Sequence, residues 1–540
     1  MATVSDVIAV HLEAAGTRHI FGVPGGDSLA LMEACRKRGI DFVLANHETS
    51  AGFMADAYSL LSGTPGVYLT TLGPGATNGV SAAAQALLER SPVLVITAQI
   101  ARKHRGAMTH QVVDTEALYR PVTKWSATLT PENADVVMRR ALRTLYAGRP
   151  GPVHLSLAGD VADAETASFG GMPSDPFERP MPARRQLDSA KNRLGESHRP
   201  IILAGLGIYH SECVAALRDF AARARIPVLY TPKVKGVIPE DSPWAVGSVG
   251  LGMAADAVML DMLATADLVI AVGFDQVELV TGWRDALNPR CPLVWVDYAP
   301  CDDAIYHVDV SLIGDMDSAL AGLVEGESSS GWTEEELRER RRAIRETLVG
   351  SKIPESRFGI APHRVTQIAR AILPKTTVVT SDVGAQKLMN TQLWESYDPK
   401  TYLLTNGFSS MGYGLPAAIA AAIVANSAEP VICFAGDGGF ATTMHEMETA
   451  VRLDLPVIVI VFDDRSLSLI ATKQRRRGFP EKGVSLVPKD YEALARGFGA
   501  MGYHVESEEA FEVALTSALA EKKPSVIGCF VDPREYDEQL

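Results

Sequence analysis

The residues most able to carry chemistry are three acids near the end of the chain, Asp437, Asp463 and Asp464. Asp437 lies in a Gly-Asp-Gly-Gly run after one short β-branched stretch, and the Asp463-Asp464 pair ends a second such stretch. Stretches of this kind are typical of strands buried on both faces of a parallel sheet. The pattern therefore predicts that residues 431–466 form a strand–helix–strand unit. Its right-handed crossover would bring the carboxyl ends of both strands to one edge of the sheet. Acids that meet there predict a cation site.

The glycines around Asp437, including Gly438 and Gly439, leave the backbone bare where the predicted helix begins. Free N–H groups and the positive end of a helix dipole suit a phosphate group. Together with the acids, they predict a site for a metal ion and a diphosphate. The alternative is that Gly-Asp-Gly only forms a turn and that the Asp pair caps the next segment. Met444, Met447 and Val451 mark one face of the intervening helix.

A second candidate group lies near the start of the chain around Glu48. Glu48 opens a predicted helix after the strand at 41–45, while glycine-rich turns follow the strands at 19–23 and 66–71, the first of them containing Gly25 and Gly26. The two glycine-rich turns and the segment that contains Glu48 all fall at carboxyl ends of strands. Glu48 should therefore lie in a crevice walled by glycine backbone. Alternatively, Glu48 is only a first-turn acid that complements a helix dipole.

The elements that position these residues form three segments of similar size. Weak points at about 164–190 and 325–356 are rich in Pro, Gly, Ser or charge, and each segment between them alternates β-rich runs with amphipathic helices. That alternation is typical of a doubly wound parallel sheet, so the predicted fold class is α/β with three such domains.

Composition limits the function classes. A chain of 540 residues with 47% hydrophobic residues predicts a multidomain globular protein, and a net charge of −14 argues against nucleic acid as a partner. The N-terminus has no signal-peptide pattern, no apolar run is long enough to span a membrane, and the six cysteines are scattered. We therefore expect a cytoplasmic protein with no membrane partner.

The spacing of the acids is more specific. Asp464 follows Asp437 by 27 positions, and Gly-Asp-Gly followed at that interval by Asn or Asp after an apolar strand resembles the magnesium–diphosphate motif of thiamine-diphosphate enzymes. With the Glu48 group, the chain resembles acetolactate synthase and its relatives over nearly its whole length. The resemblance implies that magnesium takes Asp437, Asp464 and the backbone carbonyl of Ser466. Most members have Asn-Asn where this chain has Asp-Asp, so the site would carry extra negative charge if both acids were ionised.

The resemblance also implies a domain order and an assembly. It predicts a pyrimidine-binding domain at 1–165, a middle domain at 190–325 and a diphosphate-binding domain at 357–540. In the family, the cofactor lies between the first domain of one subunit and the third domain of another. A homodimer or homotetramer is therefore expected.

Several cofactor contacts follow by position in the family pattern. Glu48 would bond the pyrimidine N1′, Met411 would prop the bent cofactor, and the carbonyl of Ser409 would accept from the 4′-amino group. Ser409 stands where the family usually has glycine, but a backbone atom does this work. Gln386 would contact the diphosphate. Taken without the neighbouring residues, Met411 could equally be a residue that packs in the hydrophobic core.

The resemblance places substrate-pocket residues on three elements. Gln111 matches an active-site glutamine, whereas His110 replaces an aromatic residue and is either a proton relay or an ordinary loop histidine. Leu469 and Ile470 would border the reacting carbon. Lys473 stands where a tryptophan commonly shapes the acceptor pocket, so it indicates either an anionic or bulkier acceptor or simply a solvated helix end. Gly25 and Gly26 complete the predicted pocket.

The predicted activity is a thiamine-diphosphate- and magnesium-dependent carboligase that decarboxylates a 2-oxo acid and transfers the acyl unit to a second carbonyl compound. A 2-oxo acid decarboxylase that releases an aldehyde, a flavin-linked oxidase and a non-catalytic relic remain as alternatives. The middle segment reads Phe274-Asp275-Gln276-Val277 and continues to Thr281-Gly282, without the arginine of the family's flavin motif. We therefore expect weak or no FAD binding and a structural role for the middle domain; the alternative is that another nucleotide occupies it. The sequence does not name the donor or the acceptor.

Overall fold

The computed structural model describes residues 2–166, 179–251, 254–279, 291–301, 305–324, 330–349 and 358–539. These residues contain three parallel sheets of six strands, each flanked by helices, so the predicted α/β fold class is confirmed. The chain divides into two compact units. The first comprises 1–177, 408–429 and 443–457, and the second comprises 178–407, 430–442 and 458–540.

The first sheet lies in the first unit and has the strand order β3-β2-β4-β5-β7-β6. Its strands are β2 (His19–Val23), β3 (Asp41–Leu44), β4 (Gly66–Thr70), β5 (Val93–Gln99), β6 (Trp125–Thr128) and β7 (Val153–Ala158), while β1 (Ala2–Thr3) and β8 (Glu165–Thr166) pair antiparallel. The helices of this part are Val4–Ala14, Leu29–Arg36, Glu48–Ser62, Pro74–Asn78, Val80–Leu88, Thr115–Tyr119, Ala134–Tyr146 and Gly159–Ala162. The strands predicted at 19–23, 41–45 and 66–71 are present.

The helix Glu48–Ser62 is held at both ends by local chemistry. At its start the His47 ring nitrogen Nδ1 accepts from the Thr49 N–H at 3.1 Å, and at its end Gly63 takes a left-handed φ of 71°. The helix Gly414–Val424 packs against it in the same unit, with Phe53 and Tyr413 in an edge-to-face contact at 5.9 Å. These contacts fix the backbone position of Glu48.

The second sheet has the strand order β11-β10-β9-β12-β13-β14. Its strands are β9 (Pro200–Ala204), β10 (Val228–Tyr230), β11 (Ala245–Ser248), β12 (Leu268–Val272), β13 (Leu293–Asp297) and β14 (Val310–Ile313). The helices are Arg184–Glu196, Gly207–His210, Val214–Ala224, Asp256–Thr265, Met316–Val324 and Glu334–Val349.

The third sheet has the strand order β16-β15-β17-β18-β20-β19. Its strands are β15 (Val379–Ser381), β16 (Tyr402–Leu404), β17 (Val431–Gly436), β18 (Val457–Asp463), β19 (Met501–Val505) and β20 (Ser525–Phe530). The helices along this part of the chain are Pro362–Ile372, Ala385–Leu393, Gly414–Val424, Asp437–Thr443, Met447–Arg452, Ser468–Arg476, Tyr491–Phe498, Glu508–Glu521 and Tyr536–Gln539. Two of them, Gly414–Val424 and Met447–Arg452, belong to the first unit. The strands β17 and β18 are the two expected around the acids, and their side chains are almost entirely buried.

The helix expected between β17 and β18 is broken. It consists of Asp437–Thr443, a 3-10 turn at Met444–Glu446 and Met447–Arg452. The turn places Glu446, which is fully buried, where its carboxylate accepts from the Asn46 N–H at 3.0 Å and from the Thr449 hydroxyl. A helical periodicity cannot report a break of this kind, because the partner Asn46 lies 400 positions away.

Much of both predicted junctions, at 167–178, 325–329 and 350–357, lies outside the described residues, and the domain boundaries stay predictions. The charged helix expected in the second junction is present as Glu334–Val349. In the parts of the chain described above, no helix combines the length and the apolar character needed to cross a membrane.

Candidate active site

The Glu48 crevice is built from three neighbouring strands of the first sheet. β3, β2 and β4 are adjacent and parallel, so the turns after them share one edge of the sheet. Glu48 follows β3, and Gly25 and Gly26 follow β2. A Cβ at Gly25 would lie 2.1 Å from the Thr71 hydroxyl oxygen, so this turn has no room for a side chain, whereas Gly26 is open.

Glu48 is buried, with 7% of its surface exposed. Its Oε2 accepts a hydrogen bond from the Asn78 side chain at 3.0 Å. Its Oε1 faces Gly75, where a Cβ would lie only 2.9 Å away. A surface acid that only complements a helix dipole would be solvated, so this enclosed carboxyl group favours the functional interpretation. Asn78 was not predicted as a site residue; it ends the short helix Pro74–Asn78, which follows β4.

Gln111 reaches the same glycine turn from a different loop. A Cβ at Gly73 would lie 2.8 Å from the Gln111 Cβ, and Gln111 itself has a left-handed φ of 57°. Gln111 and Glu48 therefore flank the two glycines of one turn. His110, next to Gln111, is exposed. The structure places this histidine on the loop surface, and its catalytic role stays a prediction.

Ser409 and Met411 belong to the first unit, in the segment that leads into the helix Gly414–Val424. The Phe408 N–H donates to the Glu89 carboxylate at 3.3 Å, which fastens the segment to the first domain. Ser409 has a left-handed φ of 55°, a conformation that glycine adopts without strain. Met411 is exposed, so the core-packing alternative for this residue is not favoured.

A polar junction fixes the backbone two residues before Glu48. The Asn46 side chain donates to the His445 carbonyl, the Glu448 carboxylate and the Thr449 hydroxyl at 3.0–3.2 Å, in addition to the backbone bond to Glu446. The junction joins β3 to the segment 443–457 within the first unit.

Asp437, Asp463 and Asp464, here called the acidic cluster, lie in the second unit. β15, β17 and β18 are neighbours, and Gln386, Asp437 and Asp464 follow them in turn. Asp437 is 2% exposed; its Oδ1 accepts from the Gly438 N–H at 2.7 Å, while its Oδ2 is buried with no hydrogen-bond partner. Both carboxylate oxygens of Asp463 are likewise buried without a partner.

Burial dominates the electrostatics of the cluster. It raises the pKa of Asp437 well above the usual range, with further increases from the charges of Asp464 and Asp463 and an opposing effect of Lys489. Burial also raises the pKa of Asp464 to about 7, against hydrogen bonds from Ser468 and the Ser466 N–H. Such carboxyl groups gain from a cation that replaces their protons.

The donor set suits a hard divalent cation. Asp437 and Asp464 supply carboxylate oxygens. The Ser466 N–H donates to Asp464 Oδ1 at 3.0 Å, which holds the backbone of Ser466 beside this carboxylate. Within the described ranges, no three His, Cys, Asp or Glu side chains form a ready-made metal-ligand set. A metal here would therefore need backbone and ligand oxygens beside the two carboxylates, as magnesium bound with a diphosphate has.

Gln386 and the glycines form a tight wall beside Asp437. A Cβ at Gly436 would lie 3.1 Å from the Gln386 Oε1, and one at Gly439 would lie 3.0 Å from the Asp382 carboxyl carbon. These positions therefore have little room for a side chain larger than that of glycine. Because no side chain covers the backbone there, the main-chain N–H groups can reach a phosphate.

The expected pocket helix is present as Ser468–Arg476. Leu469 packs against the hydrophobic core of this unit, whereas Ile470 and Lys473 are exposed. The neighbouring Arg475 pairs with Glu481 and Asp537. The roles of Leu469, Ile470 and Lys473 toward a substrate stay predictions.

One cation at the acidic cluster was missed by sequence reasoning. The Lys489 Nζ lies 3.9 Å from Asp437 Oδ2 and is buried without a hydrogen-bond partner. Lys489 follows Asp437 by 52 positions in a loop without periodicity, so no pattern in the sequence points to it.

The carboxyl edge of the middle sheet is filled by another residue that the sequence did not single out, Glu278. Its Oε1 accepts from the Leu206 N–H at 3.0 Å and the Asp275 N–H at 3.2 Å, and its Oε2 accepts from the Thr231 hydroxyl. Burial raises the pKa of Glu278 to about 8. The stretch compared with the family's flavin motif is described up to Leu279, and Thr281 and Gly282 lie outside the described residues.

Three models of one protein family match the chain. Residues 2–118 match the family model of the thiamine pyrophosphate enzyme N-terminal TPP binding domain, residues 187–323 that of the central domain, and residues 382–529 that of the C-terminal TPP binding domain. Glu48 lies in the first match, while Asp437 and Asp464 lie in the third.

Relatives that match over nearly the whole chain are described as acetolactate synthases. The chain is 30% identical to a probable acetolactate synthase large subunit of Methanocaldococcus jannaschii, over 98% of this chain and 92% of the relative. It is 30% identical to a catabolic acetolactate synthase of Raoultella terrigena, over 98% and 95%, and 28% identical to an acetolactate synthase of Bacillus subtilis, over 96% and 91%. The chain therefore belongs to the thiamine pyrophosphate enzyme family, in the group that contains the acetolactate synthase large subunits.

Proposed function

We propose that this protein, a thiamine-pyrophosphate-dependent carboligase, takes a 2-oxo acid as donor and a second carbonyl compound as acceptor. The observation that carries the proposal is that two buried carboxyl groups, those of Glu48 and Asp437, lie where the cofactor would bind. Glu48 is enclosed beside a glycine turn, and Asp437 has a buried, unpartnered oxygen in an acidic cluster. The relatives described as acetolactate synthases support this choice over a decarboxylase that releases an aldehyde.

Asp437, Asp464 and the Ser466 carbonyl would hold magnesium, and Gln386, Gly438 and Gly439 would line the diphosphate. Magnesium has a strict preference for oxygen ligands and keeps several positions for water or phosphate, which suits a site with two carboxylates. When bound, thiamine diphosphate supplies a carbon nucleophile and an acceptor for the electrons that decarboxylation releases.

Glu48 would hold a proton for the pyrimidine ring. Asn78 donates to Oε2, so a proton on this carboxyl group is held at Oε1. Burial keeps water from competing for that proton, so a hydrogen bond from Oε1 would be strong. Gln111, on the other side of the Gly73–Gly75 turn, would orient the substrate.

Ser409 would offer its carbonyl to the pyrimidine amino group, and Met411 would pack against the cofactor. The left-handed backbone at Ser409 sets the direction of that carbonyl. The exposed Met411 side chain offers an apolar surface that a bound ring would cover.

We also propose that the middle domain holds no FAD. Glu278 takes backbone N–H groups at the carboxyl edge of β9, where open α/β sheets bind nucleotide phosphates. A phosphate would have to displace a buried carboxyl group from these donors. The purified protein should therefore be colourless and should bind no added FAD.

A homodimer or homotetramer in the cytoplasm completes the proposal, by analogy with the family's shared cofactor site. The decisive experiment incubates the protein with thiamine diphosphate, magnesium and a panel of 2-oxo acids, with and without aldehyde or 2-oxo acid acceptors. Ligated products that depend on all three components are expected. Aldehyde as the sole product in the presence of every acceptor would favour the decarboxylase alternative instead.

A further inference from the structure

Lys489 is a buried cation with no assigned task in the proposed reaction. Its side chain is 16% exposed, and its Nζ is buried without a hydrogen-bond partner. Asp437 Oδ2, at 3.9 Å, is too distant for a hydrogen bond. An ammonium group removed from water without an acceptor is unfavourable, so this geometry indicates that an acceptor is supplied from outside the chain.

The position of Lys489 is fixed by its neighbours. The Asp490 carboxylate caps the following helix by accepting from the Ala493 N–H at 2.9 Å. Tyr491 is fully buried and packs on Phe440 at 6.2 Å and against Gly528, where a Cβ would lie 2.2 Å from the ring. Phe440 belongs to the helix that Asp437 begins, so Lys489 and Asp437 are tied to one another through Tyr491.

A second set of contacts holds the loop that carries Lys489 alongside the metal loop. The Leu467 N–H donates to the Val484 carbonyl and the Leu486 N–H to the Arg465 carbonyl, both at 2.8 Å, and Ser466 and Ser485 form an isolated β-bridge. The two loops therefore form one backbone-paired wall, with Ser466 and Lys489 on it. The fold therefore holds the ammonium group beside the acidic cluster, and Lys489 is not a flexible surface side chain that reaches the cluster from solvent.

Asp437 Oδ2 is the oxygen that a metal ion would find open, because Oδ1 accepts from the Gly438 N–H, and it is also the carboxylate oxygen that Lys489 approaches. When a metal ion takes that oxygen, the ammonium group loses its nearest anion and must turn to another. The anion that accompanies the metal is the diphosphate. Asp463 adds a third buried carboxyl group with unpartnered oxygens to the cluster, which helps to retain a positive charge there.

We propose that Lys489 binds a diphosphate oxygen of the cofactor and so acts as a binding residue in addition to the metal ligands and the glycine backbone. This inference rests on the proposed function, because it needs the magnesium–diphosphate site at Asp437 and Asp464. A charge-assisted hydrogen bond from an ammonium to a phosphate oxygen is among the stronger polar contacts in proteins.

The test compares ligand binding by wild type, Lys489→Met, Lys489→Arg and Lys482→Met, measured by calorimetry without substrate. Lys482 is an exposed lysine in the same loop, so its replacement removes the same charge without touching the cluster. The probes are magnesium with thiamine diphosphate, magnesium with inorganic pyrophosphate, and magnesium alone. Thermal unfolding of each unliganded variant checks that it is folded.

We expect Lys489→Met to weaken binding of both diphosphate probes by roughly 10- to 100-fold, the loss that follows removal of a charge-assisted bond. Lys489→Arg should keep most of the affinity, and Lys482→Met should stay within about threefold of wild type. Magnesium alone should bind Lys489→Met as tightly as wild type or more tightly, because a competing cation has been removed.

Two results would overturn the role of Lys489. One is unchanged diphosphate affinity in Lys489→Met, and the other is an equal loss for magnesium alone, which would make Lys489 a support of the metal site only. A wild-type protein that binds no magnesium thiamine diphosphate would contradict the proposed function itself. Failure of the inference and failure of the function are therefore distinguished by the wild-type measurement.

Discussion

The Asn78 side chain donates a 3.0 Å hydrogen bond to Glu48 Oε2, while Gly75 lies against Glu48 Oε1. One oxygen of this carboxyl group is therefore committed to a donor, and the other faces backbone with no side chain between. The two carboxylate oxygens of Glu48 therefore have different surroundings. The residues involved lie at the start of the helix after β3 and in the short helix after β4.

Replacing Glu48 by Gln should remove nearly all turnover and leave the fold and the cofactor affinity largely intact. The amide fits the same space but cannot give up a proton to the pyrimidine ring, so a loss of about 10²–10⁴-fold is expected. Product formation from the 2-oxo acid that works best for wild type measures the effect, with cofactor titration as the control. Turnover within threefold of wild type would refute the role of Glu48.

Replacing Asp437 or Asp464 by Ala should weaken magnesium-dependent cofactor binding. Each change removes a carboxylate oxygen that magnesium replaces only with water, so a loss of roughly ten-fold or more in affinity is expected. Calorimetric titration of thiamine diphosphate at several magnesium concentrations measures it. If both variants bind the cofactor as wild type does, the metal ion lies elsewhere.

The stability of the metal-free protein should fall as the pH rises toward neutrality. The pKa of Asp464 is raised from an ordinary 3.8 to about 7 in the folded chain, so its uncharged form is the one that folding favours. This contribution to the free energy of unfolding is complete below about pH 4 and is lost as the pH rises through the folded value. The raised pKa of Asp437 acts in the same direction.

Thermal unfolding between pH 5 and 8 tests this, with Asp464→Asn as the matched variant. The variant should flatten the pH dependence, because its side chain has no proton to lose. Magnesium with thiamine diphosphate should reverse the trend in wild type, since deprotonation is needed for metal binding. A pH profile unaffected by Asp464→Asn would show that another group titrates.

Replacing Lys473 by Trp tests the nature of the acceptor. If Lys473 faces an anionic or bulky acceptor, the change should shift preference toward small 2-oxo acids, chiefly by raising the KM of the anionic acceptor. A specificity change of roughly ten- to a hundred-fold is expected for loss of one charged contact. Lys473 is exposed, which is also what a solvated helix end requires. Identical acceptor profiles for both proteins would establish that simpler role.

Local sequence patterns were sufficient for the α/β fold class and for the acids of the candidate metal site. β17 and β18 are short β-branched runs, and strand crossovers in parallel sheets have one hand. Asp437 and Asp464 had therefore to meet at one sheet edge, whatever the rest of the chain did. The same argument placed Glu48 beside the glycine turn after β4.

Contacts between distant segments were decided only by the tertiary structure. The bond of Asn46 to Glu446 spans 400 positions and coincides with a break in a helix that periodicity predicted as continuous. Lys489 lies in no motif, and nothing in the stretch 274–282 marks Glu278 as important. The importance of both residues lies in what surrounds them: Lys489 points at Asp437 without an acceptor, and Glu278 takes backbone N–H groups from Leu206 and Asp275. Residue type and spacing determine which chemistry is available at a sheet edge, whereas burial and the pairing of loops determine which polar atoms are left without a partner and hence where a ligand is needed.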